Sequence, residues 1–486
     1  MRVRKDVYQL PPGDQTLDWY AKAVAAMHSL PPTSPMSWIY QAAIHGIDPL
    51  PPAMAGLWAE CQHSSSFFLP WHRMYVLNFE RIVAAQIGNL GGPADWALPY
   101  WNYTTSDPAT LELPPAFRNP TLPGGAANPL FVAKRNPTAN AGGPLLGPRD
   151  VDLTCLRASG TTSPGGFFGG APSTHFGVVA GTLELTPHNA IHRQVGATPG
   201  GWMADPDLAA LDPIFWLHHS NIDRLWEVWL DCDPLHQNLT SAYWLNGVSF
   251  QFHDSSGTLV TMRTADVLNL TAPLLDYRYS DATCPAPFKA PGPGPAVPTH
   301  PPVHTLPGPS APATVQMVIP VNPPQQELVG ATRSTEHLGD QITHVTLPTP
   351  VTPHAFRSAR DKKAAPATAS AKQLVQQVTL QLEQVTSSDV APTYDVFLNV
   401  PPGEDPNKHE DRFVARVAMF GIKQASDPRG SHGGGGQNFA FDITKLYHHL
   451  SDSGEIDPKE LRLSFVPVSP IGKPGVTVGR VSLYFS

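Results

Sequence analysis

Cysteine is scarce in this chain, whose 486 residues include only four, at positions 61, 155, 232 and 284. They are too few and too scattered for a scaffold built on disulfides, and no Cys-x-x-Cys pair predicts a thiolate zinc site. The spacing leaves open whether Cys155, Cys232 and Cys284 pair.

Charge is also sparse, since 15% of the residues are charged against about 25% in an ordinary domain. The formal charge of −8 argues against a nucleic-acid partner. No apolar run reaches the length of a membrane-spanning helix. The basic residues at the start are not followed by an apolar stretch, so we expect no secretory leader and a cytoplasmic location. That compartment would keep thiols reduced.

Proline, by contrast, is abundant, with 55 residues or about twice the usual share. Many prolines crowd the weakly charged stretch after Pro285, which predicts an extended linker. We therefore divide the chain into an N-terminal domain at 1–284, a linker at 285–375 and a C-terminal domain at 376–486. Within the linker, residues 360–371 form an exposed joint that a protease is expected to cut.

Apolar periodicity gives the two domains different fold classes. Helical spacing predicts helices over about 70–87, 186–195 and 212–230, joined by long Pro/Gly-rich loops. The C-terminal domain alternates apolar and polar residues in short segments separated by turn residues, which predicts an all-β sandwich. These segments are 378–382, 394–400, 413–420, 461–466 and 476–481.

Six histidines of the N-terminal domain group into two triplets. The first triplet is His45, His63 and His72. In the second, His188 and His192 are four residues apart, so a helix presents both imidazoles on one face, and His219 lies on the apolar face of the next long helix. One such histidine is usually a packed core residue. Six buried imidazoles without partners would be costly, and histidine is the commonest metal ligand.

The metal follows from the ligand type. All-imidazole coordination suits zinc, copper, iron or nickel. A catalytic zinc site would add a carboxylate near the bound water, and an iron oxygenase would use two histidines and a carboxylate. Two neutral three-histidine sites on facing helices fit a copper pair better, because each ion alternates between +1 and +2. Two structural zinc sites are the alternative, which metal analysis distinguishes.

Two segments carry a specific resemblance to a known family. They are Cys61-Gln-His-Ser-Ser-Ser-Phe-Phe-Leu-Pro-Trp-His-Arg-Met-Tyr and Asp212-Pro-Ile-Phe-Trp-Leu-His-His-Ser-Asn-Ile-Asp-Arg-Leu-Trp. Both resemble the copper signatures of the tyrosinase/polyphenol oxidase family. Leu98-Pro-Tyr-Trp-Asn-Tyr and Tyr394-Asp-Val-Phe-Leu-Asn-Val-Pro-Pro look like plant-type members. The chain lacks their transit peptide and paired N-terminal cysteines, and its Cys-x-His spacing is similar to fungal tyrosinases, so we expect a bacterial member with plant-type domain order.

The resemblance implies a four-helix bundle with a binuclear type-3 copper centre, two copper ions and O2 as co-substrate, followed by a jelly-roll-like sandwich. The implied ligands are His45, His63 and His72 on copper A, and His188, His192 and His219 on copper B. The family's ligand precedes the motif aspartate by four residues, which selects His219 over His218. A thioether between Cys61 and His63 is expected as in relatives with Cys-x-His, the alternative being a buried free thiol.

Three further residues acquire roles from the same resemblance. Glu184 and Asn189 are expected to hold a water that accepts the proton of a monophenol. The alternatives are that Asn189 caps the helix start and that Glu184 lies at a solvated strand end. Arg193 is expected to steer a phenol that carries a carboxylate, the alternative being a surface arginine.

The expected activity is oxidation of small phenols by O2 to o-quinones, by monophenol o-hydroxylation and o-diphenol oxidation. The alternatives are a catechol oxidase without monophenol activity and haemocyanin-like oxygen binding. Neither nucleic acid nor membrane is expected as a partner, and homo-oligomer formation is left open. The C-terminal domain carries no catalytic group of its own, so we expect it to cover the copper site and keep the enzyme latent. A stability or oligomerisation domain is the alternative.

Overall fold

Helices dominate the N-terminal half of the chain. The computed structural model describes residues 1–47, 57–162, 164–175, 177–196, 201–290, 326–349, 377–429, 434–457, 459–468 and 475–486. The helices are α1 (Thr16–His28), α2 (Trp38–His45), α3 (Phe68–Asn89), α4 (Pro137–Ala141), α5 (Ala190–Gly196), α6 (Pro213–Cys232), α7 (Ile422–Ser426) and α8 (Thr444–Asp452). Among the described residues, none of these helices is both long and apolar enough to cross a membrane.

The three predicted helices are present, with small differences at their starts. Asp212 caps α6, accepting a hydrogen bond from the Ile214 amide, and Pro213 occupies the first helical position. A π-helical turn, Glu184–Asn189, precedes α5, and its Thr186 has non-helical angles (φ −146°, ψ 125°). The helix predicted over 186–195 is therefore regular only from Ala190 onward.

A buried ionic cluster fixes α3 against α6. The Asp223 carboxylate on α6 accepts hydrogen bonds from Arg73 on α3, from Arg4 near the N-terminus, and from the hydroxyls of Tyr277 and Tyr279. Removing one member would leave an uncompensated buried charge. Since Arg73 follows His72 and Asp223 lies one turn after His219, the cluster holds these two histidines in register.

The strands are β1 (Arg2–Arg4), β2 (Ser249–His253), β3 (Leu259–Arg263), β4 (Tyr277–Tyr279), β5 (Glu327–Ala331), β6 (Glu336–Leu338), β7 (Thr343–Pro348), β8 (Val378–Thr386), β9 (Thr393–Leu398), β10 (Phe413–Ala418), β11 (Gln437–Asp442), β12 (Glu460–Pro467) and β13 (Val476–Phe485). Two sheets form the C-terminal sandwich. Their orders are β10-β9-β12-β7 and β11-β8-β13-β5, with β6 paired to β13. Inward-facing apolar side chains such as Leu380, Leu463 and Val481 fill the space between them. The predicted fold class is confirmed.

The predicted linker boundary at residue 375 is wrong. Strands β5, β6 and β7 lie inside the range 285–375, and they pair with β12 and β13 of the sandwich. These strands are short and lie between two proline-rich stretches, so their alternation was masked by the composition around them. The linker centre and the expected protease joint at 360–371 lie outside the described residues.

A disulfide joins Cys232, the last residue of α6, to Cys284. It settles a pairing that the sequence left open, and Cys155 remains a buried free thiol. A disulfide is unusual in a reducing compartment, so this bond weighs against the expected cytoplasmic location, which stays a prediction.

Candidate functional site

Five helical elements and one loop bring the two histidine triplets together in the core of the N-terminal half. The first triplet comes from the end of α2, the loop before α3 and the first turns of α3. The second comes from the π-helical turn, α5 and α6. Within each triplet the potential ligand atoms lie within 4.8 Å of one another. The rings of His72 and His219, one from each triplet, stack with centroids 4.5 Å apart, so the triplets face each other.

Hydrogen bonds to one nitrogen of the ring orient four of these histidines. The Nδ1 atoms of His45, His72 and His192 lie 2.8–2.9 Å from the backbone carbonyls of Pro206, Phe68 and Met203. The Nδ1 of His188 lies 2.8 Å from Oδ1 of Asn189. Since an oxygen acceptor requires a donor, Nδ1 carries the proton, and Nε2 keeps its lone pair for a metal.

The donor set fits two copper ions. Among the described residues, Nε2 of His45, His72 and His188 has no hydrogen-bond partner although it is fully buried, and unpaired buried nitrogens are costly unless a ligand satisfies them. Nε2 of His192 and Nε2 of His219 lie 3.2 Å apart and face each other. Two triplets of inward-turned imidazole nitrogens supply the ligands that copper prefers.

Burial keeps these imidazoles neutral. Loss of solvation lowers the pKa of His45 to about 4 and that of His188 to about 3. The same cause lowers the pKa of His72, His192 and His219 well below the ordinary histidine value. A neutral ring is the form that binds metal, so the site is electrostatically prepared for a cation.

His218 lies beside the second triplet, as its sequence position predicted. Its Nδ1 is 3.0 Å from the hydroxyl of Tyr103, and its ring stacks on His188 with centroids 5.3 Å apart. One of its ring nitrogens also lies within 4.8 Å of the other potential ligand atoms of the group. The second group thus contains four histidines, and the choice of His219 over His218 as ligand stays a prediction.

Glu184 is buried, which excludes the solvated strand end that was its alternative. Its Oε1 accepts a 2.7 Å hydrogen bond from the amide of Ser64, the residue after His63. Burial raises the pKa of Glu184 to about 8, although hydrogen bonds from the backbone of Ser64 and Gly181 oppose the shift. The Glu184 carboxyl therefore lies next to the first triplet. Glu184 itself belongs to the π-helical turn that carries His188 of the second triplet.

Asn189 and Arg193 are both buried. Asn189 orients His188 through the bond described above, and its role in holding a water stays a prediction. Arg193 is not a surface residue, and burial lowers its pKa to about 10, with the carboxylate of Asp205 opposing the shift. Cys61 is a buried thiol without a disulfide partner, and burial raises its pKa. The thioether to His63 stays a prediction.

One loop orients a histidine of each triplet. In the segment 203–207, the carbonyl of Met203 holds His192 and the carbonyl of Pro206 holds His45. Gly46 follows His45 where a Cβ atom would lie 2.7 Å from both the Pro206 oxygen and the Cα of Asp207. Only glycine permits this approach. No sequence motif indicated that this loop contributes to the site.

An aromatic side chain from the C-terminal domain packs against histidines of both triplets. The ring of Phe420 stacks on His192 with centroids 4.0 Å apart and an interplanar angle of 21°. It also lies against His63 and His188, with centroids 5.6 Å away in each case. The sequence predicted β structure through Phe420, but β10 ends at Ala418, and Gly421 takes a left-handed conformation (φ 76°) that turns the chain at the plug.

Polar contacts hold the C-terminal domain against the N-terminal domain around Phe420. Arg149 lies 2.5 Å from Asp395 on β9, and Arg416 on β10 lies 2.6 Å from Asp150 and 2.8 Å from Asp395. The side-chain amide of Gln424 donates to both Asp205 and Asp207, at 2.7 Å each. The amide of Asn438 donates to the carbonyl of Val178. The C-terminal domain is therefore docked over the histidines.

Comparison with known families matches the chain in three parts. Residues 35–168 and 158–231 match the common central domain of tyrosinase, and residues 238–290 match the polyphenol oxidase middle domain. Residues 325–486 match a domain family of unknown function, which begins where the first strand of the sandwich begins.

Individual relatives resemble the chain over different extents. Tyrosinase HcTyr1 of Hahella sp. (strain CCB-MM4) is 33% identical over 512 residues, covering 100% of this chain and 99% of that protein. The latent polyphenol oxidase of Prunus armeniaca is 31% identical over 305 residues, covering 57% of this chain and 48% of that protein. Among solved structures, latent aurone synthase (polyphenol oxidase) has a TM-score of 0.65 at 22% identity, covering 100% of this chain and 89% of that one. Latent apple tyrosinase has a TM-score of 0.64 at 21% identity, with 100% and 97% covered.

Proposed function

The chain belongs to the tyrosinase/polyphenol oxidase family of binuclear copper oxidoreductases, and from this premise we propose that it hydroxylates monophenols and oxidises o-diphenols, with its C-terminal domain holding it latent. Copper-dependent oxidation of small phenols is the general activity of the family. The observation that carries the proposal is the pair of facing, buried histidine groups, with Phe420 of a second domain stacked on His192.

The overall reactions define what the site must handle. One monophenol and one O2 give one o-quinone and one water, and two o-diphenols and one O2 give two o-quinones and two waters. When bound, the two copper ions would relay electrons from the phenol to O2. The protein must admit an aromatic ring between the two triplets, exclude bulk water, and accept the phenol proton.

Glu184 and Asn189 supply the proton acceptor in this proposal. A raised carboxyl pKa, about 8 for Glu184, matches a group that takes and returns a proton near neutral pH. Its second oxygen, Oε2, is buried and has no partner among the described residues, so it is available to a water molecule. Asn189 holds His188 through Oδ1, and the proposal assigns its side-chain amide to the same water.

Oxygen uptake tests the activity. Copper-loaded protein, activated by mild detergent or limited proteolysis, should consume O2 with tyramine and with 4-tert-butylcatechol. Oxidation of the catechol alone would identify a catechol oxidase. Reversible O2 binding without consumption of either phenol would identify an oxygen carrier, and zinc in place of copper would refute both.

Replacement of Asn189 tests the proton acceptor. Asn189→Ala should lower monophenol turnover more than diphenol turnover, because only the monophenol depends on this acceptor before it is hydroxylated. Loss of one general base typically costs about 10²–10⁴-fold in rate. Equal losses on both substrates would restrict Asn189 to orienting His188.

Replacement of Phe420 tests latency in the full-length chain. Phe420→Ala should raise diphenol turnover without any activator, because it removes the ring that stacks on His192. Phe420→Leu is the matched control, since it keeps an apolar side chain over the site and should give a smaller rise. Unchanged turnover in both variants, with full copper content, would contradict the role of Phe420 as the plug.

A further inference from the structure

Phe420 and the side-chain amide of Gln424 occupy positions that a small aromatic ligand with a hydrogen-bond donor could take. Phe420 places an aromatic ring on His192, and four residues later Gln424 places N–H donors on two carboxylates. Phe420 and Gln424 belong to one short segment. The backbone between them spans at most about 14 Å. The C-terminal domain therefore fills the cleft with an aromatic ring followed by a hydrogen-bond donor.

The two carboxylates lie on the loop that also orients the site. Asp205 and Asp207 flank Pro206, whose carbonyl holds His45, and the amide of Asp207 donates to Oδ1 of Asp205 at 3.1 Å. Both residues are half-buried. Their hydrogen bonds to Gln424 are lost when the C-terminal domain leaves, so the carboxylates then border an open cleft beside the histidines.

The formal charge of this rim is negative. Arg193 brings one positive charge, but Asp205 is close enough to oppose the shift of its pKa, and Asp207 adds a second negative charge. The sum over the three groups is −1. Arg193 is also buried and lies close to the Asp205 carboxylate, so it is poorly placed to attract an anion from solution.

We propose that Asp205 and Asp207 select phenols whose para side chain ends in an ammonium group. The inference rests on the proposed function. The ring of such a phenol takes the place of Phe420, and its tail follows the path of the chain from Phe420 to Gln424. The ammonium then replaces the Gln424 amide, with a full charge and stronger hydrogen bonds. This order of preference is opposite to the carboxylate steering expected from Arg193 in the sequence.

Binding without turnover gives the first test. Copper-free, full-length protein carrying Phe420→Ala and Gln424→Ala has a ring-sized space and no internal donor. Calorimetry with 2-phenylethylammonium, 2-phenylethanol and 3-phenylpropionate compares one ring with three tail charges. We expect the cation to bind about tenfold more tightly than the alcohol, since one unit of charge at short range has this effect, and the anion to bind most weakly.

Charge-neutral variants locate the effect. Asp205→Asn and Asp207→Asn, each added to this background, keep the oxygen acceptor and should each reduce the preference for the cation several-fold. Asp95→Asn is the matched control. Asp95 is exposed on the loop after α3. Helix α3 runs about 25 Å from His72 to Asn89, so Asp95 is far from the histidines and the variant should leave the preference for the cation unchanged.

Turnover gives the second test. Activated, copper-loaded enzyme should show kcat/KM falling from tyramine to 4-ethylphenol to 3-(4-hydroxyphenyl)propionate. Equal binding and equal turnover of all three tails would overturn the inference while leaving the proposed function intact. A preference for the anion would overturn the inference and assign charge selection to Arg193. A cation preference that survives both aspartate variants would show that Asp205 and Asp207 do not cause it. An enzyme that oxidises no phenol would refute the proposed function, and the binding test would still decide the charge preference.

Discussion

At the scale of single residues, the orientation of each imidazole decides which nitrogen a metal receives. Carbonyls of Pro206, Phe68 and Met203 engage Nδ1 of three histidines, and Asn189 engages a fourth. These acceptors come from segments that are distant from the histidines in sequence, except for Phe68 and Asn189. The sequence can therefore identify the histidines, but the acceptors that orient two of them, His45 and His192, become visible only in the folded chain.

Copper content separates His219 from His218. We expect His219→Ala to retain about half of the copper and no activity, because the second triplet loses a ligand while the first stays complete. His218→Ala is the matched control, because it removes the neighbouring buried imidazole, and it should keep both copper ions. Metal analysis together with O2 uptake checks both variants. The opposite result would make His218 the ligand.

Glu184 gives a pH-dependent stability. Its pKa is about 8 in the folded protein against 4.5 for an ordinary glutamate, so the folded chain keeps a proton that the unfolded chain has already released. The free energy of unfolding should therefore fall as the pH rises through the window from about 4.5 to 8.

In copper-free protein, Glu184→Gln should remove the fall in the free energy of unfolding as the pH rises. We expect the variant to gain about 2–4 kcal/mol relative to the parent between pH 5 and pH 9, since Gln still accepts from Ser64 and carries no charge. Urea unfolding at both pH values checks the gain. A constant difference between the two proteins would contradict the raised pKa.

At the scale of elements, the loop 203–207 is the part of the site most sensitive to displacement. Gly46→Ala would press a methyl group against Pro206 and Asp207. We expect a loss of about 1–3 kcal/mol in stability and reduced copper at both triplets, since the loop holds His45 and His192. Thermal unfolding and metal analysis measure the two effects.

Gly88→Ala is the control for this substitution. Gly88 lies near the end of α3, and a Cβ atom there meets nothing within 4 Å. Alanine is the better helix former, so this variant should be slightly more stable than the parent. A similar loss of stability and copper in both variants would contradict the inference that Gly46 is needed for the close approach of the 203–207 loop.

The elements themselves were predictable to different degrees. The helices that carry His72 and His219 have long apolar periodicity, and the structure has both within two residues of the expected ends. Five strands of the sandwich were also correctly located. The strands at 327–348 were missed because they are short and lie between proline-rich stretches. Phe420 looked like one more residue of a strand, since nothing in its local sequence indicates contact with a distant site.

At the scale of the whole molecule, ion pairs across the domain boundary should control how easily the enzyme is activated. Arg416 contacts both Asp150 and Asp395, and all three side chains are at most 10% exposed. Partly buried pairs of this kind are little screened by salt, and loss of one partner leaves a charge without its counterpart. The network therefore favours the docked state.

We expect Arg416→Ala to lower the amount of detergent or protease needed for half-maximal activation. Arg480→Ala is the matched control, because Arg480 pairs with Glu383 within the sandwich and is 43% exposed. It should activate like the parent. An unchanged activation curve for Arg416→Ala would mean that other contacts hold the domain.

The stacking of Phe420 on His192 has a consequence for kinetics. A ring that occupies the position of the substrate ring acts as a competitive inhibitor that is covalently attached to its own enzyme. Its local concentration is set by the chain and is in the millimolar range for short flexible tethers, whatever the protein concentration. The apparent dissociation constant for a phenol is then the intrinsic constant divided by the fraction of molecules that are open, so binding looks weaker. In the proposed latent state, a tightly bound or abundant phenol competes with Phe420, so activation would depend on substrate concentration as well as on proteolysis.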